Sequence, residues 1–387
     1  MDVTRRIAIS PSTTIFESTS RRAQARGAIN LGQGFPDFPE PAELLDAAAR
    51  AVRERSNQYP PMRGLPTLRD AIAAYYRGTQ QLTVADEEIV VTSGGTEALA
   101  ATFLALLEPG DEVILVQPLY DSYLPLVERV GATARLIDLQ PPGWTLPLEA
   151  LEAAISPRTR LIVLNTPHNP SGTAIDMATL EAVGALCERH DLFLLCDEVW
   201  EATLLDGAPH VSPLHISSLR ERAVKIGSAG KIFALTGWKV GWVVAAPPIA
   251  AAIAARHQFL TFTTAPSLQW AVAEGLALPL VWYDAQRARF EAARDRLVAG
   301  LGEAGYRVLP ARGTWFVTVD LAGSGLPADD LAVADQLIDQ AGVAAIPVSA
   351  FYVERAETNY LRFCFAKESA VLDTAIERLA VFRRAVA

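Results

Sequence analysis

A lysine between small and apolar residues, Lys231, lies in the stretch KIGSAGKIFALTGWKVGW, residues 225–242. Such neighbours leave the amine poorly solvated, which favours its neutral form. A neutral amine condenses with a carbonyl to form a Schiff base. Ser228 and Lys239, on either side of Lys231, are suited to anchor a phosphate beside that Schiff base. Ser-x-x-Lys by itself is also typical of ordinary surface loops, so the rest of the chain has to distinguish the two interpretations.

Other polar side chains follow directly after apolar segments that read as strands. They are the segment 165–172 with Asn169, the pair Asp197 and Glu198, and the segment 228–231. In a parallel sheet the carboxyl ends of the strands meet at one edge, where ligands bind. The spacing therefore predicts that these side chains converge on one crevice.

A third element with chemical potential is EIVVTSGGTEALAATFLALL, residues 88–107. It reads as a buried strand, a turn of small residues and a helix that opens at Gly94, Gly95 and Thr96. The free N–H groups and the positive dipole end of such a helix form an anion site. With Ser228 and Lys239 these residues make a candidate phosphate cradle, although any α/β crossover can contain such a turn.

The elements that must position these residues alternate between strand and helix as far as about residue 245. Near-continuous apolar strands separated by helices predict an α/β fold, with a mostly parallel sheet between helices. From about residue 280 a long helix and then mixed strands and helices predict a smaller α+β domain. We therefore predict an N-terminal arm and small-domain segment over 1–40, a large domain over 41–280 and a small C-terminal domain over 281–387.

These residues supply the groups that bind pyridoxal 5′-phosphate (PLP). The groups are a lysine for the Schiff base, an acid, an amide, a phosphate cradle and an aromatic ring. Asp197 would pair with the pyridine nitrogen and Asn169 would donate to the ring O3′. Tyr120, which follows another strand, would stack on the ring. Lys231, once released from the Schiff base, would move the substrate α-proton.

The motifs along the chain are INLGQGFPDF, TSGGTEAL, PLYDSY, NTPHNPSG, DEVWE, SAGKIFALTGWKVGW and NYLRFCFAK. With these motifs, in this order, the chain resembles class I aminotransferases of PLP fold type I over nearly its whole length. The resemblance implies that Lys231 forms the aldimine, that Asp197 is the pyridinium partner and that Asn169 and Tyr120 contact the ring. It also implies that Gly95, Thr96, Ser228 and Lys239 hold the phosphate.

Three further roles rest on the resemblance alone. Tyr59 matches a tyrosine that binds the phosphate of the neighbouring subunit, which implies a homodimer with shared active sites. Arg362 matches the arginine that binds the substrate α-carboxylate in a bidentate way. Gly34 matches the backbone that closes over that carboxylate.

One position departs from the family pattern. The family usually has DEVYE, where the tyrosine hydroxyl bonds O3′, and this chain has Trp200. An indole N–H can donate a hydrogen bond but cannot accept one. The environment of O3′, to which Trp200 would contribute as a cofactor-binding residue, is therefore expected to differ.

The motifs GQGFPDF, SAGK and FCFAK resemble those of kynurenine–glutamine and methionine aminotransferases. Leu260 occupies the position where dicarboxylate-specific members carry a second arginine. We therefore expect a ping-pong aminotransferase that takes a neutral or aromatic L-amino acid (methionine, glutamine, kynurenine or a phenylalanine-like donor) and a 2-oxo acid. The alternatives are an N-succinyldiaminopimelate aminotransferase, a cysteine-conjugate β-lyase on the same fold, and a PLP-binding regulator without catalysis.

The bulk composition sets the remaining expectations. A net charge of −10 over 387 residues argues against nucleic acid or an anionic membrane surface as partner. The three cysteines are far apart and contain no metal-binding spacing, which fits a reducing compartment. Neither a signal peptide nor an apolar run of about 18–20 residues is recognisable, so we predict a cytoplasmic protein.

Overall fold

The computed structural model describes residues 14–386 of the chain. The strands, in chain order, are β1 (Ile29–Asn30), β2 (Ile89–Thr92), β3 (Glu112–Gln117), β4 (Thr133–Asp138), β5 (Thr159–Asn165), β6 (Phe193–Asp197), β7 (Ala223–Ser228), β8 (Gly241–Ala245), β9 (Arg307–Val308), β10 (Phe316–Asp320), β11 (Val343–Ala344), β12 (Ile346–Pro347) and β13 (Tyr360–Cys364). The α-helices are α1 (Ile15–Arg26), α2 (Ala42–Glu54), α3 (Pro66–Gln80), α4 (Gly95–Leu106), α5 (Tyr123–Arg129), α6 (Leu148–Ala153), α7 (Met177–His190), α8 (Ala229–Ile232), α9 (Pro247–Leu260), α10 (Pro266–Leu276), α11 (Leu280–Glu303), α12 (Asp330–Gln336) and α13 (Ser369–Ala385).

A seven-stranded sheet in the order β2-β8-β7-β6-β5-β3-β4 forms the centre of the fold. The strands from β7 to β4 pair in parallel, whereas β8 runs antiparallel to both β7 and β2. Ile89 and Val91 of β2 belong to one hydrophobic cluster, and Val90 between them belongs to another. Because successive side chains of a strand point to opposite faces, the sheet is covered on both sides. The predicted mostly parallel sheet between helices is confirmed.

A second, antiparallel sheet has the order β12-β13-β10-β9 and packs in its own hydrophobic cluster with α11 and α13. The short strand β1 pairs in parallel with β11, so the segment before residue 40 joins elements from the end of the chain. Residues 1–13 of the predicted arm lie outside the described residues. The division into domains at residues 40 and 280 stays a prediction.

Local capping explains where several elements begin. Asp176 accepts a hydrogen bond from the Thr179 N–H at 2.8 Å, which fixes the start of α7 at Met177. The helix α12 begins at Asp330, because Asp329 caps it by accepting a hydrogen bond from the Ala332 N–H at 3.0 Å. It then continues into a π-helical turn over Leu337–Ala341. Over residues 14–386, no helix has the length and apolar character needed to cross a membrane.

Candidate active site

A cavity of about 150 Å³ lies where the carboxyl ends of β5, β6 and β7 meet the start of α4. The three strands are neighbours in the sheet, and Asn165 at the end of β5 is in register with Asp197 at the end of β6. Ten of the residues predicted from the sequence line this cavity. They are Gly94, Gly95, Thr96, Tyr120, Asn169, Asp197, Trp200, Ser228, Lys231 and Lys239.

The start of α4 provides an anion cradle with Lys239 at its side. Gly94 has φ of +81°, and a Cβ at that position would lie 3.1 Å from Cε and 3.3 Å from Nζ of Lys239. A glycine is therefore needed both for the backbone conformation and for the close approach of the lysine. The first N–H groups of α4, from Gly95 and Thr96, lack partners within the helix. This combination of N–H groups and an ammonium suits a phosphate.

Lys231 lies on the short helix α8, inside the cavity. Burial lowers the pKa of its amine to about 8. The nearby Asp197 opposes this change, and the positive charges of Lys239 and Arg362 add to it. The site thus raises the fraction of neutral amine near neutral pH, as the sequence predicted.

Asp197, at the end of β6, is buried and has a phenol as partner. The Tyr123 hydroxyl donates to Asp197 Oδ2 at 2.7 Å, and the Val199 N–H donates to Oδ1 at 3.3 Å. Burial raises the pKa of Asp197, while these hydrogen bonds act in the opposite direction. A cationic N–H group in the cavity would compensate the carboxylate charge. The sequence reasoning missed Tyr123, although its position three residues after Tyr120 in PLYDSY was a usable signal.

Two asparagines connect Asp197 with Arg362 through a chain of hydrogen bonds. Asn165 donates from Nδ2 to the backbone oxygen of Asp197 at 2.8 Å, and its Oδ1 accepts the Asn169 N–H at 2.8 Å. Asn169 Oδ1 in turn accepts a hydrogen bond from Arg362 Nη1 at 2.7 Å. The sequence reasoning included Asn165 in a polar segment but gave it no role.

Arg362 on β13 is 1% exposed and has only neutral partners among residues 14–386. Besides Asn169, the backbone oxygen of Gly32 accepts from Nη2 at 2.7 Å, and Nε is buried without a partner. Burial lowers the pKa of the guanidinium to about 9. A buried cation without a counter-ion is costly, so this arrangement favours the binding of an anion.

Aromatic rings surround the guanidinium. Its central carbon lies 3.9 Å from the ring centre of Phe316, 5.1 Å from that of Phe351 and 5.2 Å from that of Phe16. Gly34 packs against the same ring, because a Cβ there would lie 2.6 Å from Phe316 Cζ. The backbone of Gly34 can thus lie close to the arginine site.

Tyr59 does not line the cavity of its own chain. Its side chain is 84% exposed and contacts Phe262 edge-on, with ring centres 5.6 Å apart. This position leaves the predicted contribution to a neighbouring subunit as a prediction.

Comparison with known proteins gives concordant matches over nearly the whole chain. The family model described as "Aminotransferase class I and II" matches residues 26–379. Methionine aminotransferase of Escherichia coli (strain K12) is 42% identical over 371 residues, which cover 95% of each chain. Kynurenine–oxoglutarate transaminase 1 of Homo sapiens is 32% identical over 391 residues, 92% of this chain and 93% of that one. The solved structure of N-succinyldiaminopimelate aminotransferase from Mycobacterium tuberculosis is similar with a TM-score of 0.92 and 40% identity, covering 96% of this chain and 97% of that chain.

Proposed function

Since this chain belongs to the class I and II aminotransferases and is an amino-group-transferring enzyme, we propose that its donor is a neutral or aromatic L-amino acid. A 2-oxo acid is the acceptor in this proposal. The main support for this proposal is the environment of Arg362. A buried guanidinium that has only neutral partners and an unpaired Nε is suited to bind the α-carboxylate that every such donor and acceptor shares.

The class I and II aminotransferases use PLP, and the residues of the cavity fit that group. In the proposal, Gly95, Thr96, Ser228 and Lys239 hold its phosphate, and Tyr120 stacks on its ring. Asp197 compensates the charge of its ring nitrogen. When bound, PLP supplies an electrophilic carbonyl carbon for amines and a ring that accepts electrons from a broken substrate C–H bond.

Four side chains of the chain itself then have separate roles in the reaction. Lys231 takes the α-proton of the donor on Nζ and later returns a proton, which its pKa of about 8 allows near neutral pH. Arg362 orients the donor through its carboxylate, and Asn169, bonded to Arg362, keeps the guanidinium in place. Tyr123 keeps the Asp197 carboxylate in position by donating to Oδ2.

The aromatic surroundings of Arg362 support a donor with an apolar, sulfur-containing or aromatic side chain. Phe16, Phe316 and Phe351 offer ring faces and edges beside the carboxylate site. Thioether sulfur and aromatic rings both make favourable contacts with such rings. Leu260, at the position aligned with the second arginine of dicarboxylate-specific enzymes, is 44% exposed.

We extend the proposal to a homodimer in which Tyr59 serves the phosphate site of the partner subunit. An exposed tyrosine next to the exposed ring of Phe262 supports an interface at this surface.

The test is a visible absorption titration of the purified protein loaded with PLP. L-methionine, L-phenylalanine, L-glutamine, L-aspartate and N-succinyl-diaminopimelate are added separately. We expect the absorption band of the bound cofactor to bleach with methionine or phenylalanine, and to persist with aspartate. Bleaching only with N-succinyl-diaminopimelate would replace the proposed donor class by that substrate.

The chain's lysine content makes a second test unusually clear. The sequence contains four lysines, Lys225, Lys231, Lys239 and Lys367. Borohydride reduction of the loaded protein should fix the cofactor to Lys231, and Lys231→Ala should abolish both this labelling and turnover. Labelling of another lysine would contradict the proposed role of Lys231.

A further inference from the structure

The amine of Lys231 lies against the faces of two indole rings. Nζ is 4.7 Å from the ring centre of Trp200 and 5.3 Å from that of Trp315. The two rings meet edge to face, with centres 4.8 Å apart. Among residues 14–386, Lys231 Nζ makes no hydrogen bond or ion pair, and the two rings are the partners recorded for its ammonium.

Both indoles are held firmly in place. Trp200 is 4% exposed and packs edge-on against Phe316, while Trp315 is fully buried and stacks on Phe290 with ring centres 5.7 Å apart. The rings therefore cannot turn away from the lysine without disrupting a core.

The backbone segments that carry the two indoles are also tied together. The Thr314 N–H donates to Thr203 Oγ1 at 3.1 Å, and the Leu205 N–H donates to the backbone oxygen of Arg312 at 2.9 Å. The segment with Trp200 follows β6 of the seven-stranded sheet, and the segment with Trp315 precedes β10 of the antiparallel sheet. The two indoles therefore meet where loops of the two sheets contact each other. We call Trp200 and Trp315 the indole pair.

We propose that the indole pair positions Lys231 by cation–π attraction to its ammonium whenever the lysine is not covalently engaged. The inference rests on the proposed function of Lys231 in amino transfer. Ring faces attract a desolvated cation without accepting its proton into a hydrogen bond. A carboxylate in the same place would bind the ammonium tightly and oppose both proton release and movement of the side chain.

The charged groups around Lys231 do not supply such a partner by themselves. Burial, Lys239 and Arg362 all disfavour the protonated amine, whereas Asp197 and Cys364 favour it. In the loaded enzyme of the proposed function, Asp197 is engaged with the cofactor ring. Cys364 and the indole pair then still favour a charged Lys231, and of these the indole pair has its rings over the amine.

The experiment measures the pH midpoint of Lys231 acetylation in the full-length chain freed of cofactor. Only neutral amine reacts, and with four lysines in the sequence the labelled peptides are readily separated by mass. Protein is made with tryptophan, with 5-fluorotryptophan and with a multiply fluorinated tryptophan. Fluorine withdraws charge from the ring face with little change in shape, so a cation–π contact weakens at each step.

We expect the midpoint to fall stepwise with fluorination, because a weaker attraction to the ammonium lowers the amine pKa. In Trp200→Leu we expect a fall of about one pH unit, a tenfold rise in neutral amine at a fixed pH below the midpoint. The midpoint of Trp200→Phe should lie between that of the unsubstituted protein and that of Trp200→Leu. The control is Trp270→Leu, which removes a ring that lies 4.7 Å from Arg55 and does not line the cavity, and should leave the midpoint unchanged.

A midpoint that does not respond to fluorination overturns the inference, and this arm does not depend on whether Trp200→Leu folds. The result is separable from the proposed function. If borohydride fixes the cofactor to Lys231 but the midpoint is insensitive to fluorination, the indole pair is refuted alone. If the midpoint shifts but the cofactor is fixed elsewhere, the proposed function of Lys231 is refuted and the cation–π contact stands.

Discussion

At the scale of single residues, the site contains two buried basic side chains, Arg362 and Lys231. Burial lowers the pKa of both, but the two groups differ in their charge at neutral pH. Burial lowers the pKa of Arg362 to about 9 and that of Lys231 to about 8. An arginine so placed stays charged at neutral pH and can hold a carboxylate, whereas a lysine is partly neutral and can exchange protons. The difference follows from the intrinsic basicity of the two groups, because burial acts on both in the same direction.

The proposed binding of the substrate carboxylate by Arg362 predicts a large effect of a substitution that keeps the charge. Arg362→Lys should lower kcat/KM about 100-fold, since an ammonium cannot replace two parallel charge-assisted hydrogen bonds. Steady-state kinetics with a neutral donor measures this. Arg296→Lys, at the two-point contact with Asp373 between α11 and α13, is the matched control and should leave kcat/KM unchanged. Equal effects in both variants would indicate general destabilisation instead.

The bond from Tyr123 to Asp197 predicts a pH effect on cofactor binding. This hydrogen bond lowers the pKa of Asp197 against the effect of burial, so Tyr123→Phe should raise it. In the proposed function the ring nitrogen of the cofactor pairs with this carboxylate. The affinity for the cofactor should therefore fall as pH falls through the pKa of Asp197, and in the variant this fall should begin at higher pH.

We expect a cofactor dissociation constant about tenfold higher near neutral pH for Tyr123→Phe, in line with one lost hydrogen bond to a charged group. Titrations from about pH 5 to about pH 8 measure both the constant and its slope. As a control, Tyr306→Phe removes a comparable buried hydroxyl that donates to the backbone oxygen of Leu379. It should change neither the dissociation constant of the cofactor nor its dependence on pH. An unaltered pH profile in Tyr123→Phe would exclude the assigned positioning role.

At the scale of elements, the sheet edge and one helix start bring the site together. Neighbouring parallel strands place Asn165, Asp197 and Ser228 at one edge, and β8 carries the chain back antiparallel so that Lys239 precedes it at the same edge. The start of α4 faces these residues. The site therefore depends on the ends of secondary-structure elements, where small residues allow close approach.

Substitutions at two glycines can distinguish the effect of backbone strain on cofactor binding from the effect of crowding in the cradle. Gly94 and Gly110 both have positive φ, but a Cβ at Gly94 would meet Lys239 and a Cβ at Gly110 has nothing within 4 Å. Gly94→Ala and Gly110→Ala should each lower the free energy of unfolding by about 1–3 kcal/mol, because both backbones have a positive φ that L residues rarely adopt. Only Gly94→Ala should weaken cofactor binding, by about tenfold or more, as measured by equilibrium dialysis. Weakened binding in Gly110→Ala would mean that strain, and not the cradle, is responsible.

A buried ion cluster behind Asp197 supports the strands β6 and β7. Lys225 Nζ lies 2.5 Å from Glu198 Oε2 and 2.6 Å from Glu201 Oε2, and His210 also bonds Glu198. Carboxylates and the imidazole lie close enough for a metal site, but the ammonium already occupies the position between the two glutamates. Burial alone would raise the pKa of Glu198, yet Lys225 and His210 hold it below its ordinary value.

Removing the ammonium from this cluster predicts a large loss of stability. Lys225→Met should lower the free energy of unfolding by about 3–5 kcal/mol, because two buried carboxylates lose the ammonium that they share. Their protonation relieves part of the cost, so the deficit should shrink as pH falls. Urea unfolding at two pH values measures this, and adding Glu201→Gln to Lys225→Met should restore part of the loss. A deficit independent of pH would argue against the ionic origin of the effect.

At the scale of the whole molecule, the site joins segments that are far apart in the chain. Arg362, near the C-terminal end, donates to the oxygen of Gly32 near the beginning, and Phe16 on α1 lies over the same guanidinium. Lys367 likewise donates to the oxygen of Phe35 at 2.9 Å. The surroundings of Arg362 therefore form only when both ends of the chain fold together.

The proposed shared active sites predict complementation between two defective subunits. Tyr59→Ala should reduce activity at limiting cofactor, and Lys231→Ala should be inactive. In a mixed dimer, the site with the intact lysine receives Tyr59 from the Lys231→Ala subunit and is complete. Mixing should therefore restore activity under these conditions, with sedimentation velocity confirming the dimer; no recovery would contradict the assignment of Tyr59 to the partner's site.

The sequence alone determined the order and type of most elements, and with them the main site. Apolar runs with polar residues at their ends predicted the parallel sheet, the edge at which ligands bind and the convergence of Lys231, Asp197 and Asn169, because strand ends in a parallel sheet share one edge. The sequence motifs indicated membership of the aminotransferase family, and the match to the family model confirms it. These features are local in sequence or follow from a simple rule of topology.

Only the tertiary structure revealed partners that come from distant segments. Tyr123 reaches Asp197 across 74 residues, and Trp315, directly before β10 of a separate sheet, meets Trp200 and Lys231. Periodicity marks such residues as buried, but it does not say which buried side chains touch. Those contacts depend on how helices and sheets pack, and their packing decides which charges lie unpaired and which amine meets two indoles.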